Sequence, residues 1–291
     1  MKAIKTEALT KSYGKARGII DVNLNVEIGD FYGFIGPNGA GKSTTIRTLL
    51  GLIQKTSGSA EILGRTVGVD TNAILKDIGY LPSETNFYNS MTVAELLRLS
   101  AKLRGASCDD ERKILCDRLD LDTAKKIRNL SFGNRKKVGI VCALQHNPKL
   151  LILDEPTSSL DPLMQREFYD ILSERNEQGT TVFLSSHVLS EVGKYCKKAA
   201  VIREGRILVE DTVEKLAHSG IKRVTVKGKV KLPQSDKVRD AKTEQDQTSF
   251  LYSGEAKDLI EYIRALSPDD FSVSDPDLEE VFMHYYRKEE I

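Results

Sequence analysis

Gly36-Pro37-Asn38-Gly39-Ala40-Gly41-Lys42-Ser43 is the stretch that decides how this chain is read. It has the spacing G-x-x-x-x-G-K-[ST] of a loop that cradles phosphate groups. Its flanks agree with that reading. The apolar run Phe31-Tyr32-Gly33-Phe34-Ile35 leads in as a buried strand, and a helical pattern from Ser43 to Leu52 leads out. Glycines at Gly36, Gly39 and Gly41 let the main chain curl until successive N–H groups point at one anion. The positive end of the following helix adds to that field. Lys42 then reaches the β- and γ-phosphates of a nucleotide, and the Ser43 hydroxyl ligates Mg²⁺. Asn38 and Thr44 belong to the same lining. A turn that matched by accident would lack the strand before it and the helix after it.

A phosphate loop alone leaves kinases, GTPases, motors and transporters open. Further along, Leu150-Leu151-Ile152-Leu153 runs into Asp154-Glu155. An all-apolar strand ending in two carboxylates suits nucleotide hydrolysis. Asp154 holds Mg²⁺, directly or through water, and Glu155 stands where a carboxylate accepts a proton from an attacking water.

Composition narrows the class. The chain has 291 residues, 40% of them apolar and 29% charged, with a formal net charge of +1. That suffices for one large domain with an appendage, and it argues for neither nucleic acid nor an acidic partner. No apolar run is long enough to span a bilayer. Met1 to Glu7 lacks the apolar core of a signal peptide, so a cytosolic protein is expected. The four cysteines are scattered, Cys108, Cys116, Cys142 and Cys196, without metal-ligand spacing, and are expected to be reduced.

Residues 4 to 27 alternate in short runs and read as antiparallel strands around a Gly14-Lys15 turn. Ser59 to Leu63 and Ile78 to Leu81 read as further strands, the second stopped by Pro82. From Thr92 the period turns helical. Thr92 and Glu95 form a capping box, and Val93, Leu96, Leu97, Leu99 and Leu103 are expected on one face. Ile114, Leu115 and Leu119 suggest a second helix. Lys149 to His187 returns to strand, helix and strand. After Ser219-Gly220 the composition shifts. A strand at Ser249 to Tyr252 and helices at Ala256 to Leu266 and Asp277 to Arg287 suggest a small α+β tail.

Taken in order, these pieces resemble the ATP-binding subunit of an ABC transporter. Leu130-Ser131-Phe132-Gly133-Asn134-Arg135-Lys136-Lys137 resembles the family signature, which usually reads L-S-G-G-Q. Ser158-Ser159-Leu160-Asp161 resembles the D-loop. His187, after the apolar strand Thr181 to Leu184, resembles the switch histidine. Tyr13 resembles the aromatic residue that stacks on adenine. The resemblance covers residues 1 to about 218. The ending Asp275 to Phe282 is similar to tails of the branch that exports drugs and antimicrobial peptides.

The resemblance implies an α/β fold: a P-loop NTPase core of ABC type, with an antiparallel β subdomain and an inserted helical subdomain at about 84–145. It implies an ATP-binding domain at 1–218 and a small accessory α+β domain at 219–291. Two such domains pair head to tail, so Ser131, Gly133 and Asp161 would meet the ATP held by the partner, and His187 would orient the attacking water. ATP closes the pair, and Mg²⁺-dependent hydrolysis reopens it. That motion drives transport, in the export direction, through a membrane permease on a separate chain. The second nucleotide-binding subunit is identical or different. No nucleic acid is expected, and the subunit would sit on the cytoplasmic face of the cell membrane, held by the permease. The stretch Asn86 to Met91 would cup a short helix of that permease. Phe132, Asn134 and Ser83 depart from the pattern. Ser83 stands where a glutamine usually approaches the metal, and it is carried as a metal-site residue beside Ser43 and Asp154. A non-transport ABC protein acting on ribosomes or DNA is the alternative, though it usually has two such domains or a long coiled-coil insert. A module that binds ATP without turnover is a third.

Overall fold

Alternating apolar and polar residues open the chain as antiparallel strands. β1 (Lys2–Tyr13), β2 (Ala16–Val22) and β3 (Asn25–Glu27) pair in this way, with Ile4, Leu9, Ile19, Val22 and Val26 turned inward. The computed structural model describes residues 1–14, 16–217, 221–228, 230, 232–233, 235–244 and 246–276. β4 (Phe31–Ile35) differs from its predecessors, because all five of its residues are buried. That is the mark of a strand covered on both faces. It runs through the phosphate loop into α1 (Lys42–Leu49), which closes sooner than the sequence pattern suggests. β5 (Ser57–Ile62) and β6 (Arg65–Thr66) complete the first sheet, in the order β2-β1-β5-β6, and α2 (Thr71–Lys76) leads to β7 (Ile78–Leu81).

The helical region follows as α3 (Val93–Arg104), α4 (Asp109–Arg118), a 3₁₀ turn at Ile127–Asn129, and α5 (Phe132–Leu144). Thr92 and Glu95 form the expected capping box. The expected apolar face needs correction. Val93, Leu96, Leu97 and Ala101 are buried, but Leu103 is 78% exposed and Leu99 only half-buried. With 3.6 residues per turn, the row 93, 97, 101 faces inward while 99 and 103 rotate to the flank. Ile114 likewise faces solvent, and Leu115, Cys116 and Leu119 take the inner side.

β8 (Leu150–Asp154), α6 (Pro162–Glu177), β9 (Thr181–Ser186), α7 (Leu189–Tyr195), β10 (Lys198–Arg203) and β11 (Arg206–Thr212) complete the second sheet, in the order β11-β10-β4-β9-β8-β7. From β10 across to β7 the pairing is parallel. The C-terminal ends of β4, β9, β8 and β7 therefore share one edge, which is where open α/β sheets bind ligands.

The chain divides into two compact units, Met1–Glu210 and Asp211–Ile291. Within the second, α8 (Val213–Ala217) precedes β12 (Ile221–Lys227), β13 (Val238–Glu244), β14 (Gln247–Ser253), α9 (Ala256–Leu266) and β15 (Asp270–Ser274). The four strands are antiparallel in the order β13-β14-β12-β15. Leu259 and Ile263 of α9 pack on Val224, Val226, Phe250 and Tyr252, the unit's own core. The helix expected at Asp277 to Arg287 lies outside the described residues, as does the ending from Asp277 to Phe282. Among the described residues, no helix is long and apolar enough to cross a membrane.

Candidate functional site

Four neighbouring parallel strands each deliver a predicted motif to the shared edge. β4 gives the phosphate loop, β8 gives Asp154 and then Glu155, β9 leads to His187, and β7 leads to Ser83. Their register is tight: Asp154 pairs with Ser185, and Ile35 with Ser186. Motifs more than a hundred residues apart in sequence are thus within reach of one nucleotide.

A cavity of about 420 Å³ opens there, lined by Pro37, Asn38, Gly39, Gly41, Lys42, Ser43, Thr44, Ser83 and Glu155, together with Arg17 and Gly18 of β2. Gly41 has φ 111°, a backbone conformation that side chains rarely tolerate, and it lets the loop turn its N–H groups inward. Lys42 is buried, its relative exposure being 6%. Its Nζ donates to Gly36 O at 2.6 Å and Pro37 O at 3.2 Å, and lies 3.2 Å from Glu155 Oε1. That last contact is an ion pair without hydrogen-bond alignment, and Glu155 Oε1 is a buried oxygen with no hydrogen-bond donor. The other oxygen, Oε2, lies 2.6 Å from His187 Nδ1. Asp154 is buried, and its Oδ1 accepts from Ser185 Oγ at 3.1 Å.

This donor set suits ATP with a divalent cation. Two hydroxyls, Ser43 and Ser83, and the Asp154 carboxylate are hard oxygen ligands of the kind Mg²⁺ takes, with phosphate oxygens filling the rest. A carboxylate oxygen held beside Lys42 without a donor of its own is free to accept one from water.

Ser131, Gly133 and Asp161 lie apart from this group. They line a second cavity of about 870 Å³ that shares no residue with the first. Ser131 caps α5, accepting from Asn134 N at 3.3 Å, and Asp161 caps α6, accepting from Met164 N at 3.0 Å. Phe132 is 80% exposed at the mouth of that cavity, with the Arg135 guanidinium 5.8 Å from its ring centre. Tyr13 sits at the tip of the β1–β2 hairpin, exposed and under Lys11. It does not line the phosphate cavity, whereas Arg17 and Gly18 of the same hairpin do.

Two participants escaped the sequence. Arg17 is a lone basic residue on a strand, and only the folding of the hairpin over the loop brings it in. Lys136 is buried at 3% exposure and donates to Pro82 O, Ser83 O and Glu155 O at 3.1, 3.0 and 3.0 Å. Burial pulls its ammonium down to about 8, partly offset by the charges of Asp154 and Glu155. A basic run after a helix cap gives no sign of that.

Residues 19–158 match the family described as ABC transporter. Over 215 residues the chain is 42% identical to the bacitracin transport ATP-binding protein BcrA of Bacillus licheniformis, covering 71% of this chain and 69% of that protein. Its fold is similar to a solved ATP-binding subunit of an ABC transporter, with a TM-score of 0.70 at 29% identity over 75% of this chain and 92% of that one. It is also similar to the dimeric post-hydrolysis state of the ATP-binding cassette MJ0796 bound to ADP and Pi. There the TM-score is 0.66 at 25% identity, over 72% of this chain and 98% of that one. This chain therefore belongs to the ABC transporter family, as an ATP-binding subunit whose hydrolysis of ATP is coupled to transport.

Proposed function

We propose that two such subunits pair head to tail and hold ATP between them. The phosphate loop of one, Gly36 to Thr44, grips the phosphates, and Ser131, Gly133 and Asp161 of the other close over the γ-phosphate. Tyr13 stacks on the adenine. Ser43, Asp154 and Ser83 hold Mg²⁺, which when bound would neutralise charge developing on the phosphates. Glu155 accepts the proton of the attacking water, and His187, hydrogen-bonded to it, orients that water and the γ-phosphate. Closure on ATP and reopening after hydrolysis move a separate membrane permease, to which the subunit attaches at the cytoplasmic face of the cell membrane. The work is export, a reading supported by the naming of the Bacillus licheniformis relative for bacitracin transport. Residues 219–291 act as an accessory domain to the ATP-binding domain at 1–218.

The observation that carries this reading is the separation of the two cavities. The phosphate loop and the signature residues line separate cavities of one chain, and an ATP held between two head-to-tail chains would touch both. Ser131→Arg puts a bulky cation in the closed interface, and Lys42→Ala empties the phosphate grip. Each variant alone is expected to lose ATPase activity. A mixture should recover part of it, because a mixed pair retains one intact composite site. A mixture shown to contain mixed pairs yet devoid of activity would overturn the head-to-tail arrangement.

A further inference from the structure

Lys136 is the most enclosed lysine among the described residues. Lysines are almost never so buried unless paired with a charge, yet all three of its hydrogen bonds run to main-chain carbonyls. An ammonium has three donors, and here each is used. Pro82 O and Ser83 O take two from the loop after β7, and Glu155 O takes the third from the first residue after β8. One side chain thus ties together the ends of two neighbouring strands.

What it holds on the Glu155 side is strained. Glu155 has φ 50°, in the left-handed region, which crowds the Cβ of a non-glycine residue against its own backbone. Such a conformation persists only where its surroundings over-determine it. The Glu155 N–H donates to Ser185 O at 3.0 Å, and the Glu155 carbonyl accepts from Ser158 Oγ at 2.9 Å as well as from Lys136. Of these, Lys136 alone reaches in from a helix.

The approach that permits this is built into two glycines. A Cβ on Gly79 of β7 would meet Ala143 O at 2.2 Å, and one on Gly139 of α5 would meet Leu81 Cδ1 and Thr85 Cγ2 at 2.8 Å. Lys136, Gly139 and Ala143 are spaced three and four apart, on one face of α5. That face is pressed against β7 and the loop beyond it, and Lys136 is its first residue.

We propose that Lys136 is a positioning residue for hydrolysis: it locks the Glu155 peptide in its left-handed conformation and couples it to the Pro82–Ser83 loop, aiming the carboxylate at the attacking water. This rests on Glu155 being the proton acceptor. A displacement of the loop that enters the helical region is passed to Glu155 through one ammonium group.

Steady-state ATPase kinetics on the full chain test it. Lys136→Met keeps the stem and removes the donors. The expected result is a kcat lower by at least about 30-fold, with KM for ATP and the affinity for a fluorescent ATP analogue within about 3-fold of the parent. Lys136→Arg restores donors and charge and is expected to return kcat to within about 5-fold. Parental kcat in Lys136→Met overturns the proposal. So does a parallel loss of kcat and nucleotide affinity in both variants, which is the signature of structural damage. Should Lys136→Met fail to fold, Lys136→Gln decides on the same split, and a parental kcat there overturns the proposal. Glu155→Gln separates the two ideas. If it hydrolyses ATP at the parental rate, the reading of Glu155 fails. If it is inactive while Lys136→Met is fully active, only the role of Lys136 fails.

Discussion

Burial gives two basic side chains opposite tasks. Lys42 keeps its ammonium among carbonyls and a carboxylate at the mouth of the phosphate loop, so its charge is available to an incoming anion in a place where water screens it little. Replacing it with alanine removes a charge-assisted contact to the phosphates, and no other lysine or arginine of the loop can substitute. ATP affinity should fall by about 100-fold, or about 3 kcal/mol. Titration with a fluorescent ATP analogue measures this, and unchanged affinity would contradict the assignment. His146 is the reverse case. Half-buried with Nε2 at 3.1 Å from Ile78 O, it is pushed down to about 4 by burial, with the Arg104 charge lowering it further. The unfolded chain binds that proton near the ordinary 6.5, so it gains protons before the folded one does. His146 therefore stabilises the fold fully above about 6.5, and that contribution is lost as pH falls toward 4. Thermal melts at pH 7.5 and 4.5 should show the parent losing on the order of 2 kcal/mol more than His146→Gln. Equal losses would exclude this contribution.

Among the elements, the loop between β7 and α3 places two adjacent aromatics in different surroundings. Phe87 is half-buried, its Cζ 3.8 Å from where a Cβ on Gly139 would sit, so it packs toward α5. Tyr88 is 67% exposed. An exposed aromatic is a common anchor for a partner, so under the proposed function Tyr88 is the expected anchor for the permease. Tyr88→Ala should leave the melting temperature unchanged and weaken co-purification with the permease, while Phe87→Ala should lower the melting temperature. Undiminished co-purification of folded Tyr88→Ala would move the docking surface elsewhere. The same scale shows what sequence could and could not reveal. The phosphate loop, Asp154-Glu155, the Ser131 cap and the Thr92–Glu95 box are contiguous signals, each decided by local backbone chemistry. Leu103 and Ile114 read as core residues but face outward, because the stripe they were assigned to is narrower than their periodicity suggests. Arg17 and Lys136 were silent, since strand order and two glycine contacts, not neighbours in sequence, bring them to the site.

For the whole molecule, the parallel order β4-β9-β8-β7 is what turns four separate motifs into one site. The strand ends deliver the phosphate loop, the Asp154-Glu155 pair, His187 and Ser83 to a single edge. In this account, ATP bound at Lys42 is hydrolysed through Glu155. Glu155→Gln tests that claim most directly, because the amide keeps the shape and loses the basic lone pair. Purified protein would be incubated with ATP and Mg²⁺, and the bound nucleotide recovered and identified while phosphate release is followed. The variant should bind ATP within about 3-fold of the parent, release phosphate at least about 100-fold more slowly, and yield ATP where the parent yields ADP. Phosphate release at the parental rate, with ADP recovered from the variant, would contradict the account.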